Sequence, residues 1–292
     1  MGTSRAIEMR RRLRERMARS ADPILLPGAA NALAARVVEE CGFEAVYVTG
    51  AGIANTFLGV PDIGLVTLDE LVDHTEAIAD AVSLPLVVDA DTGFGNAIGV
   101  MRAVRRLERA GASAIQLEDQ RFPKRCGHFE NKEVIEAGEA ASKIAAAAEA
   151  RSDPNLVIIA RTDAAATDGL EAAVERARGY VASGADAVFI EAPRTKEDLV
   201  ALPALLPGVP MVANLVEGGK TPLVPIEELS GFAFVLYANA ALQGAVNGMR
   251  QVLVSLRERG VLDPDAVPLA RWDERQALVR KRDFDELERR FR

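Results

Sequence analysis

Short apolar, β-branched runs recur along the chain, and each is followed by a segment with the apolar spacing of an amphipathic helix. Eight such runs occur: DPILLPG, EAVYVTG, LPLVVDA, SAIQLED, NLVIIAR, DAVFIEA, VPMVANL and FAFVLYA. The segments between them, such as IGVMRAVRRLERAGA, have apolar residues three and four positions apart and end at a glycine, where helices commonly stop. The pattern therefore predicts eight strand-then-helix units in succession.

Alternating strands and helices indicate a parallel sheet, because consecutive parallel strands need a crossover connection. Such units form either a closed barrel or an open, doubly wound sheet. An open dinucleotide-binding sheet needs a glycine fingerprint after an early strand, and the candidate TGAGIANTFLG lacks a third glycine at the required spacing. Eight units in a chain of 292 residues favour a TIM-type (β/α)8 barrel.

No linker rich in proline, glycine or serine interrupts this rhythm, so we predict a single barrel domain over residues 1–292. At the N-terminus, apolar residues recur at every fourth position from Met9 to Met17, which predicts an amphipathic surface helix over residues 1–20. The tail, from RWDERQALV to DELERRFR, predicts additional charged helices in a C-terminal extension over residues 255–292.

Composition and charge narrow the possible partners. The chain is 49% hydrophobic and 27% charged, with a formal net charge of -8. Nucleic acids and anionic membranes bind basic protein faces, so neither is expected as a partner, and a small molecule is. The two cysteines, Cys41 and Cys126, are too far apart in the chain to indicate a disulfide framework, and we expect a cytoplasmic protein.

In a (β/α)8 barrel the active site forms at the carboxyl ends of the strands, and most predicted strands here end in polar residues. The third strand ends in Asp89 and Asp91, and the fourth in Gln116 and Glu118. Because side chains alternate along a strand, the two members of each pair point to the same side. The polar residues at the later strand ends are Arg161, Asp163, Glu191, Asn214, Tyr237 and Asn239.

Three of these carboxylates, Asp89, Asp91 and Glu118, would form a cluster of like charges. Such carboxylates raise one another's pKa unless a positive charge lies among them, and a divalent cation would supply that charge. Hard oxygen ligands without a nearby cysteine or histidine pattern suit Mg²⁺ or Mn²⁺ and fit zinc poorly. The alternative is that these carboxylates cap the following helices or pair with Arg161.

The fourth strand is followed by QRFPKRCGHFENK, which is too polar and irregular for a helix and is typical of a mobile segment over the barrel mouth. Lys124, Arg125 and His128 place positive charge beside Cys126, which lowers the pKa of a thiol and favours proton exchange near neutral pH. Cys41, by contrast, ends a helix pattern and is expected to be an inert, packed thiol. His74, in a predicted helix, is expected on the surface or in a second layer.

In their order along the chain, these motifs resemble the isocitrate lyase and phosphoenolpyruvate mutase superfamily. The resemblance covers nearly the whole chain and rests on VTGAG, LGVPDIGLVT, VDADTGFGN, LEDQ, PKRCGH, IARTDA, EA after the sixth strand and ANLVEGGKTP after the seventh. The branch it resembles contains methylisocitrate lyase, 2,3-dimethylmalate lyase, the petal death protein and carboxyphosphonoenolpyruvate mutase. The resemblance implies a (β/α)8 barrel whose last helix is exchanged between subunits of dimers that pair into homotetramers.

The resemblance also implies a role for each site residue. Asp89 would bind Mg²⁺, and three further carboxylates would hold its waters or surround it: Asp62, Asp91 and Glu118. An α-oxygenated acid would place its carboxylate on the backbone of residues 49–51, and the rest of the substrate would meet side chains further round the barrel. The substrate-binding residues are then Thr49, Gly50, Ala51, Asp62, Arg161, Glu191 and Asn214.

The implied reaction is reversible cleavage of a 2-hydroxy acid between C2 and C3, which releases an α-keto acid and a carboxylic acid. Cys126 would donate or accept the proton at carbon, with Lys124 and His128 beside it, and Glu118 belongs to the same catalytic set. Tyr47 lies two residues before Thr49, on the same side of its strand, and is our candidate for the base that takes the hydroxyl proton.

The substrate is predicted from departures from the methylisocitrate lyase pattern. Phe129 and Glu130 follow KRCGH where that pattern tends to have arginine and proline, and EGGKTP replaces a bulkier loop. Loss of an arginine removes a partner for an additional carboxylate, and a phenyl ring favours an alkyl group, so a 2-alkylmalate or dimethylmalate is favoured over a tricarboxylate. A carboxyphosphonoenolpyruvate phosphonomutase, an oxaloacetate hydrolase or decarboxylase, and a non-enzymatic binding protein remain alternatives.

Overall fold

The computed structural model describes residues 2–18, 22–125, 132–219, 221 and 223–292. Within these residues, eight parallel strands form a closed barrel in chain order. The strands are β1 (Ile24–Ala29), β2 (Val46–Val48), β3 (Leu86–Asp89), β4 (Ala114–Glu118), β5 (Val157–Thr162), β6 (Ala187–Ile190), β7 (Met211–Asn214) and β8 (Phe234–Tyr237). The predicted (β/α)8 barrel is confirmed, and each of the eight apolar runs contains one strand.

Helices surround the barrel and extend beyond it. The α-helices are α1 (Gly2–Ala18), α2 (Ala32–Glu40), α3 (Gly50–Ile53), α4 (Leu68–Ala81), α5 (Ala97–Arg109), α6 (Ala137–Ala150), α7 (Ala164–Thr167), α8 (Leu170–Ala182), α9 (Lys196–Leu205), α10 (Ala240–Arg259), α11 (Trp272–Leu278) and α12 (Lys281–Arg290). A π-helix spans Ala54–Leu58 and a 3-10 helix spans Ile226–Leu229. None of the described helices is long and apolar enough to cross a membrane.

The barrel wall is apolar on both faces, as a parallel sheet covered by helices requires. Tyr47 and Val87 point into the barrel interior, whereas Val46, Val48 and other alternate residues pack outward against the helices. Complete burial of an aliphatic side chain stabilises the fold by about 1.5–3 kcal/mol. The apolar wall therefore holds the strand ends in fixed positions around the mouth.

The helix predicted at the N-terminus is present as α1, and its apolar face closes the amino end of the barrel. Leu13 and Met17 are buried with the interior residues of the strands. Arg10 is also buried, and its Nε donates to the carbonyl of Ala112 at 2.9 Å. This end of the barrel is thus filled, which leaves the carboxyl ends of the strands as the open mouth.

The C-terminal region is largely exposed in the single chain. Helix α10 runs to Arg259, so the extension predicted from residue 255 begins inside the eighth barrel helix. No residue of α10, α11 or α12 is buried, and large apolar side chains lie on their surfaces. Met249, Leu253 and Trp272 are 56%, 63% and 72% exposed. These helices therefore present apolar surface that the isolated barrel does not cover.

Candidate active site

The carboxyl ends of the strands surround a cavity of about 230 Å³. The predicted site residues that line it are Tyr47, Thr49, Ala51, Asp62, Asp89, Glu118, Lys124, Arg161, Glu191 and Asn214. Gly50 and Asp91 lie against this wall, because a Cβ atom on Gly50 would be 3.5 Å from both Asp89 Oδ2 and Asp91 Oδ1. The structure therefore brings together every predicted site residue that it describes. Cys126 and His128, with Phe129 and Glu130, lie outside the described residues.

Local sequence explains how the first part of the site is built. Thr49 follows β2 and caps α3, with its Oγ accepting from the backbone N–H of Gly52 at 3.1 Å. The first N–H groups of a helix have no intrahelical acceptor, so the turn at Gly50 and Ala51 offers donors to an anion. A glycine is suited to this position because the Asp89 and Asp91 carboxylates approach the backbone closely.

Two residues at strand ends adopt left-handed backbone conformations that residues other than glycine rarely adopt. Asp91, after β3, has φ of 47°, and Ala192, after β6, has φ of 56°. For alanine this conformation costs roughly 1–2 kcal/mol. The surrounding contacts hold both turns in place, and such turns occur at functional sites more often than elsewhere.

Lys124 supplies positive charge inside the carboxylate cluster. Its Nζ forms ion pairs with Asp62 and, at 2.7 Å, with Asp91 Oδ1, and its side chain is 3% exposed. Burial and the charges of Asp89 and Asp62 raise the pKa of Asp91 to about 7, although Lys124 opposes the shift. Burial alone would lower the pKa of Lys124, but the surrounding carboxylates raise it well above its usual range. The cluster thus contains a permanent ammonium group.

A hydrogen-bonded chain joins β2, β3 and β4 beneath this cluster. The Tyr47 hydroxyl donates to Gln116 Oε1 at 2.8 Å, and Gln116 Nε2 donates to Asp89 Oδ1 at 3.2 Å. Burial, followed by the charge of Asp89, raises the pKa of Tyr47 well above its ordinary value. Tyr47 is therefore a protonated hydrogen-bond donor here, and this weighs against the predicted role as base, which stays a prediction.

Arg161 occupies the centre of the second half of the site. Its Nε and Nη2 donate to the two Asp163 oxygens at 2.9 and 3.1 Å, and its Nη1 is 3.5 Å from Glu118 Oε2. Its Nη2 also lies 3.4 Å from Glu191 Oε2, and its guanidinium carbon is 5.0 Å from the centre of the Phe189 ring. The contact between Arg161 and Glu118, which the alternative interpretation expects, is thus present as a long ion pair.

The donor chemistry of the cluster fits a hard divalent cation. Asp62, Asp89, Asp91 and Glu118 offer only oxygen ligands, and Glu118 Oε1 is buried without a hydrogen-bond partner among the described residues. Over the same residues, no three acidic, histidine or cysteine side chains form a ready-made metal cage. Mg²⁺ needs no such cage, because it commonly binds one or two carboxylates and keeps several waters. The residues present therefore fit Mg²⁺, with Lys124 sharing the cluster.

Residue 41 and several lining residues differ from the sequence-based expectations. Cys41 is exposed at the end of α2, whereas a packed thiol was predicted; the buried face of this helix is formed by Ala35 and Val38. His74 is partly buried, and its Nδ1 lies 2.9 Å from the carbonyl of Ala30. The cavity is also lined by residues outside the predicted catalytic, substrate-binding and metal sets, although the sequence pattern had already pointed to Arg125, Asn239 and the EGG of EGGKTP: Arg125, Val216, Glu217, Gly218, Gly219, Leu236, Ala238 and Asn239.

Comparison with known proteins decides the family. Residues 13–257 match the phosphoenolpyruvate phosphomutase family. The chain belongs to this family. It is 43% identical over 246 residues to 2,3-dimethylmalate lyase of Eubacterium barkeri, covering 82% of this chain and 85% of that protein. It is also 43% identical over 242 residues to 2-methylisocitrate lyase of Salmonella typhimurium, covering 82% of each chain.

Solved structures of the PEP mutase and isocitrate lyase superfamily share the whole fold. Oxaloacetate acetylhydrolase in complex with 3,3-difluorooxalacetate superimposes with a TM-score of 0.90 at 34% identity, covering 97% of each chain. Phosphonopyruvate hydrolase in complex with oxalate and Mg²⁺ superimposes with a TM-score of 0.87 at 33% identity, covering 97% of this chain and 99% of that one. The chain is thus an enzyme of this superfamily, and its named lyase relatives place it among the carbon–carbon lyases.

Proposed function

We propose that the protein is a Mg²⁺-dependent lyase that cleaves a 2-hydroxy dicarboxylic acid to an α-keto acid, such as pyruvate, and a carboxylic acid. The observation that carries this proposal is the arrangement of the cavity. Strands β2–β4 supply the carboxylate cluster and the donor turn at Gly50, and strands β5–β7 supply Arg161, Glu191 and Asn214. A cavity of about 230 Å³ suits a compact acid held at both ends.

The two halves of the cavity suit the two ends of such a substrate. The N–H groups at Gly50 and Ala51 would receive the carboxylate next to the hydroxyl-bearing carbon. The Arg161 guanidinium would face the distal carboxylate, since two of its nitrogens already bind Asp163 and its Nη1 has only a long contact at 3.5 Å. Asn214 donates to Glu191 at 3.2 Å, which fixes the wall beside that end.

The metal site would lie at the first of these ends. Asp89 would hold Mg²⁺, with Asp62, Asp91 and Glu118 around it; the solved structure of phosphonopyruvate hydrolase with oxalate and Mg²⁺ supports a divalent metal in a barrel of this superfamily. When bound, the cation supplies charge stabilisation to the oxygen atoms of the reacting acid. Lys124 adds a fixed positive charge to the same region, where it is paired with Asp91 at 2.7 Å.

Two proton movements complete the reaction. The substrate hydroxyl loses its proton, the C2–C3 bond breaks with its electron pair going to C3, and a proton is delivered to C3. Cys126 is the proposed donor to carbon, flanked by Lys124 and His128, because a thiol beside positive charge exchanges protons near neutral pH. For the first step, Glu118 is the other candidate beside Tyr47, since burial raises the pKa of Glu118 well above its usual range.

Charge balance in the cavity favours a dicarboxylate, such as a 2-alkylmalate or 2,3-dimethylmalate, over a methylisocitrate-like tricarboxylate. Among the described residues the cations that line the cavity are Lys124, Arg125 and Arg161. The first and last of these are already balanced by buried carboxylates. Among the described residues, Arg125 is then the one lining cation without a carboxylate partner, so a third carboxylate on the substrate would meet a single guanidinium at most.

Oxaloacetate hydrolysis is the second candidate, and the similarity to oxaloacetate acetylhydrolase at a TM-score of 0.90 favours it. Both reactions break a carbon–carbon bond of a small dicarboxylic acid in a superfamily barrel. They differ in products, because hydrolysis of oxaloacetate gives oxalate and acetate, whereas cleavage of a 2-alkylmalate gives an α-keto acid.

The quaternary structure and location are part of the proposal. We expect helix-exchanged dimers that pair into a homotetramer in the cytoplasm, and the exposed apolar residues of α10, α11 and α12 support a protein partner for these helices. Phe284 and Phe291, on the last helix and directly after it, are 62% and 81% exposed. Light scattering should give the mass of a tetramer, and a monomeric mass would contradict this part of the proposal.

A substrate panel tests the proposed chemistry. The purified enzyme is incubated with 2,3-dimethylmalate, 2-ethylmalate, 2-methylisocitrate and oxaloacetate, first with Mg²⁺ and then with excess EDTA, and the products are identified by mass spectrometry. Pyruvate or another α-keto acid from an alkylmalate, lost with EDTA, supports the lyase. Oxalate from oxaloacetate, with no cleavage of the hydroxy acids, would replace it with the hydrolase.

A further inference from the structure

Asp163, directly after β5, is a buried carboxylate that joins two cations from separate parts of the chain. Its side chain is fully buried, and its Oδ1 lies 2.5 Å from Lys132 Nζ. Its two oxygens also accept from Arg161 Nε and Nη2, at 2.9 and 3.1 Å. Lys132 is the first described residue after positions 126–131, so this ion pair fixes the start of the described stretch that leads to α6.

The contacts with Asp163 determine which edge of the Arg161 guanidinium is available. A guanidinium has five N–H donors in a rigid planar fork. Asp163 takes the edge formed by Nε and Nη2, and Glu191 Oε2 is 3.4 Å from Nη2. The Nη1 contact to Glu118 is 3.5 Å long, beyond a good hydrogen bond. The plane of the guanidinium is thus set by Asp163, while Nη1 remains able to bind a ligand in the cavity.

A second buried carboxylate, Asp119, fixes the backbone of Asp163. Asp119 Oδ1 accepts from the backbone N–H of Asp163 at 2.9 Å. Asp119 Oδ2 accepts from the hydroxyls of Thr162 and Tyr180, each at 2.7 Å. The backbone of Asp163 is therefore fixed to β4, β5 and α8, and its side chain has little freedom to follow a displaced arginine.

We propose that Asp163 is a positioning residue that couples Lys132 to Arg161. Lys132 holds the Asp163 carboxylate, the carboxylate fixes the guanidinium plane, and Arg161 presents Nη1 to the distal carboxylate of the substrate. The identity of that ligand rests on the proposed function; the coupling of the three side chains does not. Asp163 acts through Arg161 and touches no reacting atom.

The charges of the three side chains are consistent with this coupling. Although burial alone would raise it, the pKa of Asp163 is lowered to about 2 by Arg161 and Lys132. One carboxylate therefore serves two cations throughout the neutral pH range. Removing its charge takes away the carboxylate that Arg161 and Lys132 share in a buried region, where charged groups depend on their partners.

Steady-state kinetics on Asp163→Asn, Lys132→Met and the double variant test the coupling. We expect KM to rise at least about tenfold in each single variant while kcat changes little, because a charge-assisted hydrogen bond to the substrate is misaligned. In the Asp163→Asn background, Lys132→Met should add little to the rise in KM, since both substitutions break the same contact between Lys132, Asp163 and Arg161. Asp168→Asn is the matched control, because the Asp168 side chain, at the end of α7, is 47% exposed and its contact with Arg176 is 3.9 Å long.

The outcomes separate this inference from the proposed function. Independent, multiplicative effects of the two substitutions, or a KM within about twofold of the wild type in Lys132→Met, would overturn the coupling. If Asp163→Asn does not fold, the KM of Lys132→Met alone tests the coupling, since this variant keeps the buried Asp163 carboxylate. Calorimetric titration with succinate measures the same coupling without turnover. If the wild type cleaves no 2-hydroxy acid but the variants bind succinate more weakly than the wild type does, the proposed function is overturned and the coupling is not.

Discussion

Lys124 Nζ lies 2.7 Å from Asp91 Oδ1 in the middle of the carboxylate cluster, with the lysine side chain only 3% exposed. Lys124 also pairs with Asp62. The cluster therefore carries a positive charge of its own, supplied by the segment that leads towards Cys126. A divalent cation that binds to Asp89 must share these carboxylates with the ammonium group.

This arrangement predicts opposite effects of Lys124→Met on metal binding and turnover. Removing one positive charge within a few ångströms of the metal site strengthens cation binding, by about tenfold or more for a partly screened charge. Turnover should fall at least about a hundredfold, because the charge beside the reacting acid is lost. Mn²⁺ titration followed by electron paramagnetic resonance gives the affinity, with the exposed Lys196→Met as control. Weaker Mn²⁺ binding by Lys124→Met would refute the sharing of the cluster.

Asp89→Ala tests the assignment of the metal ligand. Loss of the carboxylate that we place on Mg²⁺ should weaken Mn²⁺ binding at least about tenfold and abolish the activity that EDTA removes. The exposed Asp73→Ala should leave both unchanged. If Asp89→Ala keeps the wild-type dependence on Mg²⁺, another residue holds the metal.

Cys126→Ser tests the proton donor, and the chain offers its own matched control. A serine hydroxyl retains size but is a far weaker acid than a thiol, so kcat should fall by about 10²–10⁴-fold with metal binding preserved. Cys41→Ser, at an exposed position on the outside of the barrel, should have wild-type kinetics. A kcat for Cys126→Ser close to that of the wild type would remove the thiol from the mechanism.

Tyr47→Phe distinguishes a base from a hydrogen-bond donor. Because burial and Asp89 raise the pKa of Tyr47 well above its ordinary value, we expect the phenol to stay protonated and the variant to lose about tenfold in kcat, the effect of one hydrogen bond. A loss of about 10²–10⁴-fold, together with disappearance of the limb of the pH–rate profile on which kcat rises with pH, would instead show that Tyr47 is the base.

Asp163 makes a pH-dependent contribution to stability. Its pKa is about 2 in the folded chain, below the ordinary value of 3.8. The ionised carboxylate therefore stabilises the fold fully above pH 4, and this contribution is lost as the pH falls through 2. The shift corresponds to about 2 kcal/mol. Urea unfolding of wild type and Asp163→Asn should therefore give free energies of unfolding whose difference shrinks by about that amount between pH 5 and pH 2. A difference independent of pH would contradict the ion-pair assignment.

The fold and the first half of the site were predictable because they depend on local pattern and on barrel geometry. Asp89, Asp91 and Glu118 follow consecutive parallel strands, and such strand ends must meet at one edge. The same rule placed Arg161, Glu191 and Asn214 around the mouth. The apolar spacing of residues 9–17 predicted α1, although only the structure shows that its apolar face fills the amino end of the barrel.

The remaining features depend on the course of the loops and on tertiary contacts, which the pattern of strands does not encode. The position of Lys124 inside the carboxylate cluster is set by the course of the chain after β4. The pairing of Lys132 with Asp163 joins residues 31 positions apart. Cys41 was misjudged because its exposure depends on which way the final turn of α2 faces. In each case a tertiary contact, rather than local propensity, determines the outcome.

The most direct test of the central claim is cleavage of 2,3-dimethylmalate in D₂O with Mg²⁺, with both products analysed by mass spectrometry. Breaking the C2–C3 bond and delivering one proton to C3 predicts unlabelled pyruvate and propionate with a single deuterium at the carbon next to its carboxylate, and no products after EDTA. Cleavage that continues unchanged in EDTA, or no cleavage of this or any other 2-hydroxy acid, would contradict the account.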